Sequence, residues 1–173
     1  MMNPPRMMNE CPYPQRKPNR LPNFDYSSNC AYFVTICTQD RKNTLCRIVG
    51  DGFPVPKPYG SIAASWIPAI TEKYPQVHVD HFVVMPNHIH LLLFIDHSAV
   101  PHLPVPTLGS VIGWYKYQTT RQINLSFGVQ GTRVFQRSYH DHVIRGDRDY
   151  LKIWEYIDTN PLRWTLDCFY SED

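Results

Sequence analysis

No apolar run in this 173-residue chain approaches the roughly 18 residues that a membrane-spanning helix needs. Residues 1–23 also lack the apolar centre of a secretion signal, so a protein that stays in the cytoplasm is expected. Cys-x-x-Cys pairs are missing as well. Cys11, Cys30, Cys37, Cys46 and Cys168 form an odd, widely spaced set, which speaks against a disulfide framework or a zinc ribbon and for reduced thiols. Charge is scarce: Asp, Glu, Lys and Arg make up 18% of the chain and leave a net charge of +2, so composition alone does not announce a nucleic-acid partner. No internal repeat is visible. The length suits one domain with one substantial core.

What charge there is lies unevenly. Through residue 50, seven basic residues (Arg6, Arg16, Lys17, Arg20, Arg41, Lys42 and Arg47) face three acids (Glu10, Asp25 and Asp40), with Tyr13, Phe24, Tyr26, Tyr32 and Phe33 among them. A basic surface with interleaved aromatics is compatible with tracking a phosphate backbone. Six prolines within residues 1–23 block regular structure, so this stretch reads as an extended arm ahead of a single domain over 24–173.

Along that domain the hydrophobic spacing predicts elements in the order β-α-β-β-α-β-α. Cys30 to Cys37 is rich in β-branched and aromatic residues and reads as a central strand. Residues 41–59 read as a loop or short hairpin. Ile62, Trp66, Ile67, Ile70 and Tyr74 share one face of a helix over 61–74, with Pro68 as a flaw or kink. Residues 77–85 and 88–95 read as strands joined by a tight Pro86-Asn87 turn, which forces them to be antiparallel neighbours. Residues 108–125 form a second helix and 132–144 a broken strand. Asp147 is the expected N-cap of a last helix that ends before Pro161. The predicted class is α+β: a ferredoxin-like antiparallel sheet with helices packed on one face.

Two features carry chemistry. His88-Ile89-His90 interrupts an apolar strand, and residues two apart on a strand share a face, so both imidazoles stand side by side as half of a metal site. On the last helix, Tyr150, Ile153, Trp154 and Ile157 form the apolar stripe, and Lys152, Tyr156 and Asn160 follow one another along its edge. A histidine pair able to hold a divalent cation and a tyrosine at the rim of a packed face are the equipment for phosphodiester transfer through a tyrosyl intermediate. The phenol, with a pKa near 10, needs such help.

These residues resemble those of the single-tyrosine HUH transposases, and within them the REP-associated tyrosine transposases of bacteria. The matching blocks are Asn19-Arg20-Leu21 with Tyr26 and residues 32–37, Met85-Pro86-Asn87-His88-Ile89-His90-Leu91, residues 135–145, and Tyr156-Ile157-Asp158-Thr159-Asn160-Pro161. They keep the family's order over most of residues 19–164. The resemblance implies a ferredoxin-like catalytic domain in which His88 and His90 ligate Mg2+ or Mn2+ and Tyr156 is the nucleophile. Asn160 falls where relatives carry a polar third ligand.

The implied reaction is cleavage of single-stranded DNA beside a hairpin, leaving a 5′-phosphotyrosine and a free 3′-hydroxyl that can reverse the step. Arg16, Lys17, Arg20, Arg137 and Lys152 are the candidate DNA contacts. Monomers and dimers that exchange the tyrosine helix are both open. The chain departs from the family picture in its muted basicity and in Pro-rich loops over 50–59 and 98–106. Two other readings compete: a domesticated, non-catalytic hairpin-binding protein, and a metal-dependent phosphohydrolase that uses water instead of tyrosine.

Overall fold

A computed structural model describes Asp25 and residues 29–172. The Pro-rich arm, with Arg16, Lys17 and Arg20, lies outside the described residues. Strands β1 (Cys30–Cys37), β4 (Val77–Val84), β5 (His88–Ile95) and β6 (His140–Val143) form one sheet in the order β4-β5-β1-β6. Every neighbouring pair is antiparallel. The apolar strands β1 and β5 take the two central positions, as continuous apolarity requires of strands covered on both faces. Residues 41–59 resolve into a separate hairpin of β2 (Cys46–Val49) and β3 (Phe53–Pro56).

The expected helix over 61–74 is two helices, α1 (Pro58–Ser65) and α2 (Pro68–Lys73). Pro68 cannot continue a helix that precedes it but is well suited to start the next, where its missing N–H costs nothing. Helix α3 (Leu108–Phe127) opens on Thr107, whose hydroxyl accepts from the Ser110 amide at 3.1 Å, and closes on the left-handed Gly128. Helix α4 runs over Asp147–Thr159. Its N-cap is Gly146, so Asp147 is the first helical residue; there it still favours the positive helix end.

The two faces of the sheet are used differently. Tyr32, Val34 and Ile36 of β1 and Ile89, Leu91, Leu93 and Ile95 of β5 point to one side, where α1, α2 and α3 cover them in the main core. Leu92 and Val83 point to the other, where Ile153 and Ile157 of α4 close a smaller cluster. Helices therefore lie on both faces rather than one. A β-bulge between Val79 and His81 produces part of this division. It breaks the simple alternation of Val77, Val79, His81 and Val83: the first two join the main core, and His81 and Val83 turn to the α4 side.

Close packing makes one glycine indispensable. A Cβ on Gly60 of α1 would collide with the Leu45 carbonyl, which is backbone and cannot step aside. Gly60→Ala should therefore cost about 1–3 kcal/mol, whereas Gly113→Ala, which meets nothing within 4 Å on the exposed side of α3, should gain up to about 1 kcal/mol. Thermal unfolding of the two variants, compared with wild type, checks the contrast.

Candidate active site

Antiparallel pairing with β1 sets the first half of the site. His88 lies opposite Cys37 and His90 opposite Thr35, so both imidazoles emerge on the α4 side of the sheet. Both are fully buried, at 0% and 1% exposure. The carbonyl oxygen of the Asn87 side chain lies 2.9 Å from His88 Nδ1 and can only accept. His88 therefore carries its proton on Nδ1 and turns the Nε2 lone pair inward. Thr35 Oγ1 lies 2.9 Å from His90 Nδ1 and can serve His90 in the same way. The two Nε2 atoms face each other at 3.0 Å.

Burial holds both rings neutral. It carries the His88 pKa down to about 4, with the Asp167 carboxylate working against the shift and Arg41 adding to it. His90 is held well below its ordinary value by burial and by His88. Neutral imidazoles are the form that ligates metals.

Helix α4 and the turn after it supply the second half. Tyr156, Asn160 and Asp167 meet beside the histidines. The Tyr156 hydroxyl donates to Asp167 Oδ2 at 3.3 Å, and the Asn160 amide donates to the same oxygen at 2.6 Å. The tyrosine ring makes edge contacts with His90 and Phe33, with centroids 5.3 and 5.8 Å apart. Phe169 packs its ring 4.7 Å from that of His88 and carries the Arg41 guanidinium at 5.2 Å. Burial, and then the charge of Asp167, push the Tyr156 phenol above its ordinary pKa. In this environment the hydroxyl keeps its proton.

His88, His90 and Asp167 each offer one ligand atom, and these atoms lie within 4.8 Å of one another. The set fits a small divalent cation on two counts. Two ligands of an octahedral ion at about 2.1 Å are about 3.0 Å apart when adjacent, which is the separation of the two Nε2 atoms. Asn160 Oδ1 is buried without a hydrogen-bond partner, an acceptor that a cation would satisfy.

The sequence-predicted residues thus fall into three groups. His88, His90, Tyr156 and Asn160 come together. Lys152 and Arg137 are exposed outside the cluster. Arg16, Lys17 and Arg20 lie outside the described residues. Sequence reasoning missed Asp167, Thr35, Asn87 and Phe169. Thr35 follows from strand pairing once β1 is set against β5 and Asn87 from its place beside His88, but Asp167 and Phe169 follow the helix-ending Pro161 in a stretch with no periodicity to mark them.

No model of a known protein family matches the chain. An uncharacterized protein of Haemophilus influenzae strain Rd is 29% identical over 177 aligned residues, spanning 91% of this chain and 94% of the relative. Among solved structures, the fold is that of a REP-associated tyrosine transposase bound to a REP hairpin. The two superpose with a TM-score of 0.52 at 18% identity, over 78% of this chain and 68% of that one.

Cation binding is measurable without any substrate. At a Mn2+ concentration about 100 times Kd, wild type should gain about 2.7 kcal/mol of stability. His88→Ala and His90→Ala should lose that gain, and Asp167→Asn should need more cation to reach it. Thermal unfolding with and without Mn2+ reads all three.

Proposed function

We propose that this protein is a DNA strand transferase that cleaves and rejoins single-stranded DNA beside hairpin-bearing repeats, with Tyr156 as nucleophile. The observation that carries this reading is the hydrogen bond from the Tyr156 hydroxyl to Asp167, which ties a helical tyrosine to the same carboxylate that joins His88 and His90 in the ligand cluster. The superposition on a tyrosine transposase bound to a REP hairpin supports the substrate class.

In the step, the phenolic oxygen attacks the scissile phosphorus in line, an O–P bond to tyrosine forms, and the bond to the 3′ oxygen breaks. The phenolic proton passes to Asp167 Oδ2, already within hydrogen-bond reach, and the departing 3′ oxygen takes up a proton to become a hydroxyl. Asn160 holds Asp167 in register, and the rings of Phe33 and His90 keep the tyrosine from swinging out. A Mg2+ or Mn2+ ion held by His88, His90 and Asp167, with Asn160 Oδ1 as a further donor, would supply positive charge to the phosphate oxygens and offset the carboxylate that keeps the phenol protonated. Reversal uses the stored phosphotyrosine and the free 3′-hydroxyl, so rejoining needs no other energy source. Arg137 and Lys152, both exposed, are the described candidates for phosphate contacts.

The test is a denaturing gel of the full chain with labelled single-stranded hairpin DNA and Mn2+. A covalent protein–DNA band is expected for wild type and should vanish in Tyr156→Phe. His88→Ala should reduce its rate of formation at least about a hundredfold. Cleavage that survives in Tyr156→Phe would mean that water, not tyrosine, is the nucleophile. Tight hairpin binding with no cleavage in any divalent cation would point to the non-catalytic binder.

A further inference from the structure

A groove lies away from the histidine pair. It encloses about 540 Å3 between the second half of α3 and residues 130–135, within the size range of ligand-binding clefts. Its floor is apolar, built from Leu125, Phe135 and the ring of Tyr117, and no acidic residue lines it. Tyr117 is 63% exposed. Arg121 and Arg133 flank it. Lys116 has a structural duty, donating to the carbonyls of Gln136, Arg137 and Ser138 at 2.6, 2.9 and 3.4 Å.

Charge in this protein is sparse. Among the described residues, ion pairs form only between histidine and aspartate, and no Lys or Arg approaches a carboxylate within 4.0 Å. Arg121 and Arg133 therefore have no ion pair within 4.0 Å to break on meeting an anion, although Asp40 lines a neighbouring pocket together with Arg133.

The groove is joined to the tyrosine site by continuous backbone. Val134 accepts from the Gln39 amide at 2.8 Å, and Gln136 donates to the Cys37 carbonyl at 3.0 Å. Cys37 is the residue opposite His88. From Arg133 the chain passes the exposed Arg137 and reaches His140, whose ring lies 6.2 Å from Phe169, the ring tilted against His88.

We propose that this groove holds the single-stranded DNA that continues from the cleavage site, with Tyr117 as a stacking surface for an unpaired base and Arg121 and Arg133 on the flanking phosphates. The inference rests on the DNA strand-transferase reading above and adds to it a binding track outside the catalytic cluster. An exposed ring beside two guanidinium groups matches the stacking-plus-phosphate mode by which single strands bind without sequence readout. Duplex DNA keeps its bases stacked and has none to offer Tyr117.

The experiment is fluorescence anisotropy of the full chain with a labelled oligothymidylate over a series of salt concentrations. Tyr117→Ala, Arg121→Glu and Arg133→Glu should each weaken binding about tenfold. The double variant Arg121→Ala/Arg133→Ala should lower the slope of log affinity against log salt by about 1.4, the contribution of two single-strand phosphate contacts. Lys73→Glu, the same charge change on exposed α2, should stay within about twofold of wild type, since its charge is distant and screened. Variants that bind like wild type, an equal loss in Lys73→Glu, or no binding by wild type would overturn the groove. Failure of the parent reading looks different: wild type then binds the oligonucleotide and loses affinity in the groove variants, but forms no covalent adduct with hairpin DNA.

Discussion

Two uncharged imidazoles forced together in a water-poor sheet are the constraint on which the rest of this structure depends. The pairing of β1 with β5 puts His88 opposite Cys37 and His90 opposite Thr35, and burial removes the protons that would make the rings repel as cations. What remains are two Nε2 atoms 3.0 Å apart, close enough to share one proton or one cation. Neighbouring residues orient the pair. Asn87 fixes the His88 tautomer, and its own amide is anchored to the Phe169 carbonyl at 2.8 Å. The strand, the turn before it and the C-terminal segment are thereby tied into one hydrogen-bonded unit.

The second half of the site depends on a helix held by modest apolar contact. Ile153 and Ile157 seal α4 against Leu92 and Ile144, a far smaller cluster than the core on the opposite face. Polar and stacking contacts at both sheet edges complete the attachment. His81 bonds Asp158 at 2.7 Å and stacks on Trp154 at 4.3 Å, Tyr150 bonds Asp80 at 3.1 Å, and His142 bonds Asp149 at 2.8 Å. The division of labour is physical. The face covered by α1, α2 and α3 supplies stability through buried area, and the α4 face accepts less burial so that a tyrosine at its rim can remain 40% exposed and reachable.

Muted basicity is less of an obstacle to a DNA partner than composition suggests. A small net charge still produces strong local attraction if its cations lack internal partners, because no ion pair has to be broken when phosphate arrives. No described lysine or arginine is held in an ion pair with a described carboxylate within 4.0 Å, although Lys57 and Lys116 bond backbone carbonyls and Arg41 lies over the Phe169 ring.

Period and propensity in the sequence were enough to define β1, the β4–β5 hairpin, α3, the apolar stripe of α4 and the rim position of Tyr156, because each depends on neighbours within a few residues. The break at Pro68 was legible for the same reason. By itself the sequence determined that His88 and His90 share one face of a strand and that Tyr156 and Asn160 lie along one edge of a helix. The tertiary structure decided the rest: the bulge that turns His81 toward α4, the placement of α4 on the opposite face from the other helices, and the arrival of Asp167 between tyrosine and histidines. These features arise from contacts between residues some 77–79 positions apart, as His81 with Asp158 and His88 with Asp167, and no local pattern encodes a partner at that distance. The histidines could be found from their spacing, but the carboxylate that joins them to the tyrosine is set only by how the chain closes over the sheet.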